Sequence, residues 1–424
     1  MSPASSFPGD LGARTQTMLQ EYLSLPRTVH ILCLGTLVNR AGSFVILFLT
    51  FYLQERLQLG GLFATQAMGV FGLGTLLASL VGGQLADTVG RRTVILLSLV
   101  GSAIVLMFFA KLSNSWAILT ATLVFAFLVD MYRPAVSAMI SDVVEVERRP
   151  HAYGLMYIAI NVGAGIAPLV GGLLATQAFE YLFWGDAATS IAYAAIIAIF
   201  IPETLARSGS NAAEANDATL PEVAGARAAF RHIRGDIVFI RFCLGTLFVS
   251  FVFMQAMSTF PLYLRELSYG PEVYGRIIAL NGLLVVLFQV PMTHLVNRFN
   301  RAHVIVLASL VTAIGFGLNG LASTPVVFAL IVVVWTAGEL MQSPLVPSIV
   351  SDLAPPALRA RYFGLLSMCF SGGTLVAAPL GGWVLVRFGG GWLWGGCVLV
   401  GMCSAALYFS VRDRLKPPGG HAPA

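Results

Sequence analysis

The chain has 424 residues, of which 57% are hydrophobic and only 11% are charged, and its mean hydropathy is +0.82. A soluble globular protein does not tolerate so apolar a surface, so the composition excludes that class and predicts an integral membrane protein in contact with a lipid bilayer. The formal net charge of +5 comes from basic residues dispersed among short loops. Because no single face gathers them, a nucleic-acid partner is not expected.

Apolar runs bounded by Gly, Pro or charged residues determine the predicted architecture. Each run is close to the length of about 20 residues that a helix needs to cross a bilayer. Twelve such runs are present, at 29–53, 64–86, 93–111, 116–140, 152–177, 181–201, 239–264, 272–296, 302–322, 326–350, 360–386 and 391–411. The sequence therefore predicts an all-α integral membrane protein with twelve transmembrane helices, which we call spans one to twelve.

The distribution of Lys and Arg predicts which side of the membrane each loop faces. An even number of spans puts both termini on one side, and basic residues concentrate on the cytoplasmic side. Seventeen Lys and Arg residues lie in segments on the side of the termini, whereas five lie in the opposite loops, namely Arg56, Lys111, Arg265, Arg276 and Arg387. We therefore expect a multi-pass protein of an inner (plasma) membrane with both termini in the cytoplasm. Residues 1–28 contain no apolar region with a cleavage site behind it, so span one is expected to direct insertion.

An internal repeat divides the chain into two halves. A shift of 210 residues superposes Pro134 on Pro344, Ser141-Asp142 on Ser351-Asp352, Arg149 on Arg359, Gly154-Leu155 on Gly364-Leu365, and Gly171-Gly172 on Gly381-Gly382. Such a duplication predicts two pseudo-symmetric six-helix halves with a substrate site between them near the membrane midplane. The predicted segments are a cytoplasmic N-terminal segment (1–28), an N-terminal half (29–201), a flexible cytoplasmic linker (202–238), a C-terminal half (239–411) and a cytoplasmic tail (412–424).

The stretch from residue 82 to residue 92 is the densest polar segment between two apolar runs, and we interpret it as a tight turn at the membrane surface. Its spacing, G-x-L-x-D-x-x-G-R-R, is met by Gly83, Leu85, Asp87, Gly90, Arg91 and Arg92. This spacing resembles the signature loop between the second and third helices of the major facilitator superfamily of transporters. An ordinary helix-turn-helix with positive charge on the inner side is the alternative interpretation. A decayed copy in the second half has Asn297 at the position of Asp87 and Arg301 at that of Arg91.

Span five extends this resemblance. Residues 163–172 look like the superfamily pattern G-x-x-x-G-P-x-x-G-G, with Ala167 in place of the glycine before Pro168. The pattern is commonest in proton-coupled drug and multidrug exporters, and the resemblance covers nearly the whole chain. Because small residues and a bend at Pro168 also allow close helix packing, a purely structural role is the alternative. Many of these exporters have an arginine in span four where this chain has Thr122, so their coupling chemistry does not transfer directly.

Polar residues inside the spans are the candidate transport residues. An ionisable group near a helix centre costs about 2.5–3.5 kcal/mol on insertion scales, so it faces a cavity or a partner. We predict Arg40, Asp130 and Glu339 as coupling residues, and we assign the substrate cavity to Asn39, Arg133, Asn161, Asp186, Gln255, Asn281 and Gln342. For the amides, hydrogen bonding between helices is the alternative role.

Depth in the bilayer predicts how the coupling residues pair. Arg40 lies about eleven residues into span one and Asp130 about fourteen residues into span four from the other side, so at about 1.5 Å per residue both reach the middle. We expect these two residues to form an ion pair. Glu339 of span ten has no arginine opposite, so it is expected to lack a partner and to carry the proton. The alternative is a structural pair and a Glu339 that hydrogen-bonds a neighbouring helix.

An inner gate is predicted from Asp87, Arg91 and Asp142. Both carboxylates end even-numbered spans, and Arg91 lies one helical turn beyond Asp87, so the three side chains reach one membrane depth. The resemblance implies that such a cluster locks the outward-facing state. The predicted gate set also includes the other motif residues, Gly83, Gly90, Arg92 and Pro168.

The sequence predicts no enzyme site. The six histidines form no cluster, no G-x-x-x-x-G-K-[ST] phosphate loop occurs, and the five cysteines include no C-x-x-C pair, which argues against metal sites and disulfides. With the resemblance, the sequence predicts a secondary active transporter of small organic molecules by alternating access, with proton-coupled efflux as the main hypothesis. A proton-coupled nutrient importer and a non-transporting membrane receptor or assembly factor are the alternatives. We expect a proton gradient as the energy source, no cofactor, and a monomer whose partners are the substrate, protons and the bilayer.

Overall fold

Twelve long helices make up the computed structural model, which describes residues 23–145, 148–204, 226–355 and 358–415. All regular structure in these residues is helical. The spans run Arg27–Arg56, Gly61–Val89, Arg91–Phe109, Ser115–Val143, Arg149–Gln177, Glu180–Phe200, Ile237–Glu266, Pro271–Val296, Arg301–Leu321, Pro325–Leu353, Arg359–Phe388 and Gly390–Ser410. Each is long and apolar enough to cross a membrane, which confirms the predicted all-α fold.

Both six-helix halves begin and end on the same side of the bundle, which we call the linker side. It carries the start of span one at Arg27, the end of span six at Phe200 and the end of span twelve at Ser410. The opposite side is the loop side. A short helix, Ala226–Gly235, precedes span seven. Parts of the predicted N-terminal segment, linker and tail lie outside the described residues.

The two halves repeat one another in side-chain detail. In the N-terminal half the hydroxyl groups of Thr36 and Tyr193 lie 3.2 Å apart and connect spans one and six. In the C-terminal half the hydroxyl groups of Thr246 and Tyr408 lie 2.9 Å apart and connect spans seven and twelve. Thr36 and Thr246 are separated by the same 210 residues as the sequence repeat. The predicted pseudo-symmetry therefore extends to buried polar contacts.

Local sequence explains where several spans begin. The side chains of Asn114 and Asn300 each accept backbone hydrogen bonds at the first turn of the following span, which satisfies donors that the helix itself leaves unpaired. Pro271 and Pro325 occupy the first positions of spans eight and ten, where the missing N–H removes no helical hydrogen bond.

The polar segment 82–92 contains the predicted tight turn, but the turn is confined to Gly90. Span two continues as a helix to Val89. The chain reverses at Gly90, whose φ of 112° lies in the region that favours glycine, and span three begins at Arg91. The motif is therefore mostly the last turns of a helix. The predicted turn was too long because a helix can extend beyond the hydrocarbon core into the headgroup region, where polar side chains are tolerated.

Spans one and ten, predicted as continuous apolar runs, are each interrupted near the middle. Span one consists of the helix Arg27–Ala41 and a second helix, Val45–Phe51, which continues as a π-helix over Tyr52–Arg56. Span ten consists of Pro325–Gln342 and Leu345–Leu353. A glycine lies at the first break and a proline at the second, and both are poor helix formers. Uniform hydrophobicity hides these breaks in the sequence.

On the loop side the two halves are packed together. The rings of Phe48 in span one and Tyr274 in span eight meet edge-on with centroids 5.5 Å apart. Glu55 and Arg265 form an ion pair at 3.6 Å between spans one and seven. One apolar core on this side contains residues of both halves. The loop side is therefore closed.

Spans five and eight cross where two glycines meet. A Cβ added to Gly282 would lie 2.4 Å from the Cα of Gly165, so the two backbones are in direct contact. Only residues without a side chain allow helices to approach so closely. The halves therefore touch through bare backbone at this crossing.

On the linker side each half has its own apolar core. One core consists of N-terminal-half residues between Leu25 and Ile201, and the other consists of C-terminal-half residues between Ile233 and Leu415. The apolar packing that joins the two halves therefore lies on the loop side, whereas on the linker side each half packs its apolar residues within itself.

Candidate transport site

Three predicted gate residues, Asp87, Arg91 and Asp142, meet at the linker-side ends of spans two, three and four. Arg91 Nη2 lies 3.1 Å from Asp87 Oδ1, and Arg91 Nε lies 3.2 Å from Asp142 Oδ2. The side chains of Arg91 and Asp142 are 8% and 9% exposed, whereas that of Asp87 is 67% exposed. The predicted charge cluster is confirmed, and Asp142 is its buried carboxylate.

Two residues of this cluster, Glu203 and Thr204, were not predicted. The Glu203 carboxylate accepts hydrogen bonds from the backbone N–H groups of Arg91 at 2.9 Å and Arg92 at 3.1 Å. The Thr204 hydroxyl donates to Asp142 Oδ2 at 2.9 Å. The signal in the sequence is the polar pair that lies three residues beyond the end of span six, because a carboxylate is favourable at a helix N-terminus.

The other members of the predicted gate set lie in different places. The Arg92 guanidinium donates to the Ala198 carbonyl at 2.6 Å and so joins spans three and six. A Cβ added to Gly83 would meet nothing within 4 Å, so packing does not require glycine there. Pro168 is part of the loop-side contact instead, since a Cβ on Gly275 of span eight would lie 2.3 Å from the Pro168 carbonyl oxygen.

The second half contains a reduced copy of the charge cluster. Arg301 forms an ion pair with Asp352, and these residues are related by the repeat to Arg91 and Asp142. Asn297 replaces the exposed carboxylate. The repeat has therefore kept the arginine and the carboxylate at the end of span ten and lost the third charge.

The predicted ion pair between Arg40 and Asp130 is wrong. Asp130 pairs with Arg133, one turn further along span four, at 3.1 Å. The Arg40 guanidinium lies near the face of the Tyr132 ring, 5.9 Å from its centroid. Arg40 Nε is buried and has no hydrogen-bond partner among the described residues. Equal depth failed as a criterion because it does not fix the rotation of each helix about its axis.

Three amides assigned to the substrate cavity make hydrogen bonds within the bundle. Asn39 Nδ2 donates to Ser190 Oγ at 3.1 Å, and Gln255 Nε2 donates to the Ala377 carbonyl at 3.0 Å. Both side chains are buried. Asn161 Nδ2 donates to a backbone carbonyl of its own span at 2.8 Å. These contacts match the alternative role of the amides, which is structural hydrogen bonding.

Asp186 lies at the break in span one and is buried, although the sequence assigned it to the cavity. Its Oδ2 accepts a hydrogen bond from the Val45 N–H at 3.2 Å, and its residue exposure is 2%. Val45 is the first residue of the second helix of span one. Asp186 therefore caps that helix from span six.

A cavity of about 500 Å³ lies within the C-terminal half. Spans seven, eight, ten and eleven line it, mostly with apolar and aromatic side chains. Its polar lining residues are Ser250, Asn281, Glu339, Gln342 and Ser343, and among the described lining residues Glu339 is the charged one. The cavity thus brings together one predicted coupling residue, Glu339, and two predicted substrate residues, Asn281 and Gln342.

Glu339 has a hydrogen-bond partner, contrary to the prediction. Asn281 Nδ2 donates to Glu339 Oε2 at 2.7 Å and to Thr336 Oγ1 at 3.0 Å. The sequence does not reveal this contact because Asn281 and Glu339 belong to different spans. Chemically, an amide donor fixes the orientation of the carboxylate, which remains able to bind a proton or a cation.

Tyr157 connects the N-terminal half to the span that carries Glu339. Its hydroxyl donates to Gln289 Oε1 of span eight at 3.2 Å and lies 3.2 Å from Ser343 Oγ at the break in span ten. The contact joins span five to the C-terminal half.

Two cysteines that are distant in the sequence are neighbours. The thiols of Cys243 in span seven and Cys369 in span eleven are close enough to influence one another, and both are buried. The lack of a C-x-x-C motif therefore did not exclude a thiol pair between spans. In the described parts of the chain, no group of three or more His, Cys, Asp and Glu side chains is arranged to hold a metal.

The comparison with known families agrees with this architecture. The model of the Major Facilitator Superfamily matches residues 32–275 and 242–424, which together span both halves. The chain belongs to the Major Facilitator Superfamily. Members of this superfamily are transporters and not enzymes.

Two curated members of the superfamily are similar to the chain over most of their length. The Na(+), Li(+), K(+)/H(+) antiporter of Planococcus maritimus is 26% identical, with 84% of this chain and 88% of the relative covered. Multidrug resistance protein 1 of Bacillus subtilis is 24% identical, with 84% and 89% covered.

A solved structure gives the same fold. A POT family transporter in complex with 5-aminolevulinic acid aligns with a TM-score of 0.76 at 16% identity, covering 92% of this chain and 97% of that one. At this identity the likeness shows the twelve-helix major facilitator fold. A multi-pass membrane transporter of small molecules is therefore established as the class of the protein.

Proposed function

We propose that this superfamily member is a proton-coupled exporter of small amphipathic organic compounds in an inner (plasma) membrane. In this proposal the linker side faces the cytoplasm, the proton gradient supplies the energy without a cofactor, and the chain works as a monomer. The alternative that the sequence left open, a proton-coupled importer, differs in the direction of substrate movement.

The observation that carries the proposal is the position of Glu339 in the wall of a mostly apolar cavity. A carboxylate there is costly to keep charged without a bound cation or proton. Asn281 donates a hydrogen bond to one oxygen of Glu339. The carboxylate can still bind either a proton or a cation. If a proton and a substrate compete for one carboxylate, the movement of one is coupled to the movement of the other.

The arrangement of the two halves supports alternating access. The loop side is closed by Phe48, Tyr274 and the Glu55–Arg265 ion pair, whereas the apolar cores on the linker side are separate. Two such states need to differ by only a few kcal/mol for a bound proton or substrate to change their populations. The names of the two relatives, a cation/proton antiporter and a multidrug resistance protein, further support exchange of drug-like compounds against protons.

Proton flux in membrane vesicles tests the proposal. Inverted vesicles with an imposed pH gradient are screened against a panel of amphipathic compounds with a proton-sensitive dye. We expect a substrate to dissipate the gradient in wild-type vesicles, whereas Glu339→Gln abolishes the coupled flux and leaves substrate binding measurable. Glu272→Gln is the matched control, because Glu272 pairs with Arg276 at the loop-side end of span eight, away from the cavity.

Two outcomes contradict the proposal. Undiminished coupled flux in Glu339→Gln removes this carboxylate from the mechanism. Accumulation of substrate inside right-side-out vesicles, driven by protons moving inward, establishes the importer instead.

Thiol labelling tests the proposed orientation. In a chain without its native cysteines, Ser323→Cys on the exposed loop side is expected to react with an impermeant maleimide in intact cells. Ser210→Cys in the linker is expected to react only after the cells are opened. The opposite result reverses the orientation of the protein.

A further inference from the structure

Two buried polar atoms in the wall of the C-terminal-half cavity have no partner. Gln342 Oε1 and Ser250 Oγ lack a hydrogen bond within the described part of the chain. The residues are 6% and 3% exposed, and both line the same cavity as Glu339. Nearly all buried polar atoms in native proteins are paired, so unpaired acceptors in a cavity point to a ligand that donates hydrogen bonds.

Glu339 contributes negative charge to the same wall. Asn281 Nδ2 donates to its Oε2, and no hydrogen bond from another described residue reaches its Oε1. Glu339 and Gln342 are three residues apart on one helix, so their side chains lie on the same face. The wall therefore offers three acceptors of different kinds, namely a carboxylate, an amide carbonyl and a hydroxyl.

The remaining wall suits an apolar body with a π-system or a flat ring. The rings of Phe253 and Trp335 meet at a centroid distance of 6.0 Å and an interplanar angle of 83°. Met254, Met257 and Phe370 line the cavity beside them. Aromatic rings pack against flat apolar groups, and methionine side chains adapt to varied apolar shapes.

We propose that this cavity binds organic primary ammonium compounds, R–NH₃⁺. The three N–H groups of the ammonium donate to Glu339, to Gln342 Oε1 and to Ser250 Oγ. The apolar group R lies against Phe253 and Trp335. A quaternary ammonium has no N–H group and leaves both neutral acceptors unpaired, so it binds more weakly.

Primary ammonium compounds are then the substrates of the exporter proposed above. Their transport rests on that proposed function, whereas their binding to the cavity does not. The ammonium and a proton both require the Glu339 carboxylate, so they bind in competition. Binding itself depends on the cavity alone and is measured without a gradient.

Three ligands of similar shape test the proposal on the purified full-length protein. They are 4-phenylbutylamine, its N,N,N-trimethyl derivative and 4-phenylbutanol, with binding followed by calorimetry. We expect the primary amine to bind about tenfold more tightly than the trimethyl compound, since charge-assisted hydrogen bonds are lost in the latter, and the alcohol to bind most weakly.

Variants of the lining residues identify the acceptors. Gln342→Met and Ser250→Ala each remove one acceptor. We expect each variant to weaken binding of the primary amine about three- to tenfold and to leave binding of the trimethyl compound unchanged. Glu339→Gln is expected to weaken both cations. Gln54→Met is the control, because Gln54 Oε1 is also buried and unpaired among the described residues but does not line this cavity.

Two results overturn the proposal. The first is equally tight binding of the trimethyl compound and the primary amine to the wild-type protein. This comparison does not depend on the folding of any variant. The second is an equal loss of binding affinity for all three ligands in Gln342→Met, which shows a packing defect instead of a lost acceptor. If the amine binds as expected but drives no proton flux in vesicles, the exporter function fails and the binding site stands.

Discussion

Asn281 of span eight donates a hydrogen bond to Glu339 of span ten at 2.7 Å. The same nitrogen is 3.0 Å from Thr336 Oγ1, so one amide holds two polar groups of the neighbouring span. Asn281 thereby positions the carboxylate that we assign to coupling. A change in this amide is a sharper probe of the site than removal of the carboxylate, because the titrating group stays in place.

Asn281→Leu is expected to lower proton-coupled flux about tenfold at a fixed substrate concentration, since a hydrogen bond to a charged group contributes about 1.5–3 kcal/mol. Thr336→Val removes the other partner of Asn281 and is expected to lower flux only about twofold. Flux in vesicles, normalised to inserted protein, measures both. Equal effects of the two variants would mean that the amide acts through helix packing and not through Glu339.

Asp142 and Asp87 are expected to differ in their contribution to stability. Asp142→Asn disrupts a buried pair with Arg91 and is expected to lower the free energy of unfolding by about 2–4 kcal/mol. Asp87→Asn breaks an exposed pair and is expected to cost about 0–1 kcal/mol while still impairing transport. Thermal unfolding in detergent and flux in vesicles separate the two effects. Wild-type transport in Asp87→Asn contradicts a gate role for Asp87.

Gly90→Ala is expected to destabilise the junction of spans two and three by about 1–3 kcal/mol. The backbone at Gly90 has a φ of 112°, and an added Cβ would lie 2.4 Å from Glu203 Oε2. Gly83→Ala is the matched control in the same motif, since a Cβ there meets nothing within 4 Å. Thermal unfolding compares the two variants, and an equal loss of stability would contradict this explanation.

A crosslink between the halves on the loop side is expected to stop transport. Glu55→Cys with Arg265→Cys replaces the ion pair that joins spans one and seven. After oxidation of this pair we expect less than about a tenth of the wild-type flux, with recovery on reduction, because the loop side can no longer open. Continued transport by the oxidised protein would rule out opening at this point.

The native thiols provide the internal control for that experiment. Cys243 and Cys369 lie in one half, and the halves are expected to move as rigid bodies. Oxidation of this pair is therefore expected to leave flux within about twofold of wild type. Mass spectrometry of the crosslinked peptides identifies which disulfide has formed.

Asp186 is expected to act through the break in span one. Asp186→Asn keeps an oxygen acceptor for the Val45 N–H and is expected to change stability by less than about 1 kcal/mol, since Asn and Asp cap helices equally well. Asp186→Leu removes the cap and is expected to cost about 1–3 kcal/mol. Thermal unfolding measures both. If Asp186 has only this structural role, the KM for the substrate rises only in variants that lose stability. A large rise in KM in a stable Asp186→Asn protein would show that Asp186 contacts the substrate.

The fold was predictable because its determinants are local. The length of each apolar run depends only on neighbouring residues, and the repeat that relates Asp142 to Asp352 is visible as spacing. The charge cluster was predictable for the same reason, since Asp87 and Arg91 are one turn apart and Asp142 ends a neighbouring span.

The pairing of side chains between spans was not predictable. Arg40 and Asp130 have matched depths, but depth leaves the rotation of a helix undetermined, and Asp130 pairs within its own span. The contact of Asn281 with Glu339 requires both the neighbour relationship of spans eight and ten and their relative rotation. The hydrophobic pattern of a helix that is apolar on every side specifies neither its neighbours nor its rotation about its axis.

The contact of Gly165 with Gly282 has a mechanical consequence. A point where two backbones touch is a natural axis for rotation, because its atoms move least when the halves tilt. From Gly282 to the end of span eight at Val296 is about 21 Å of helix, so a tilt of about 10° displaces the linker-side end by about 4 Å. A side chain added at this axis separates the halves in both end states alike. It should therefore lower the stability of the protein without shifting the equilibrium between the two states.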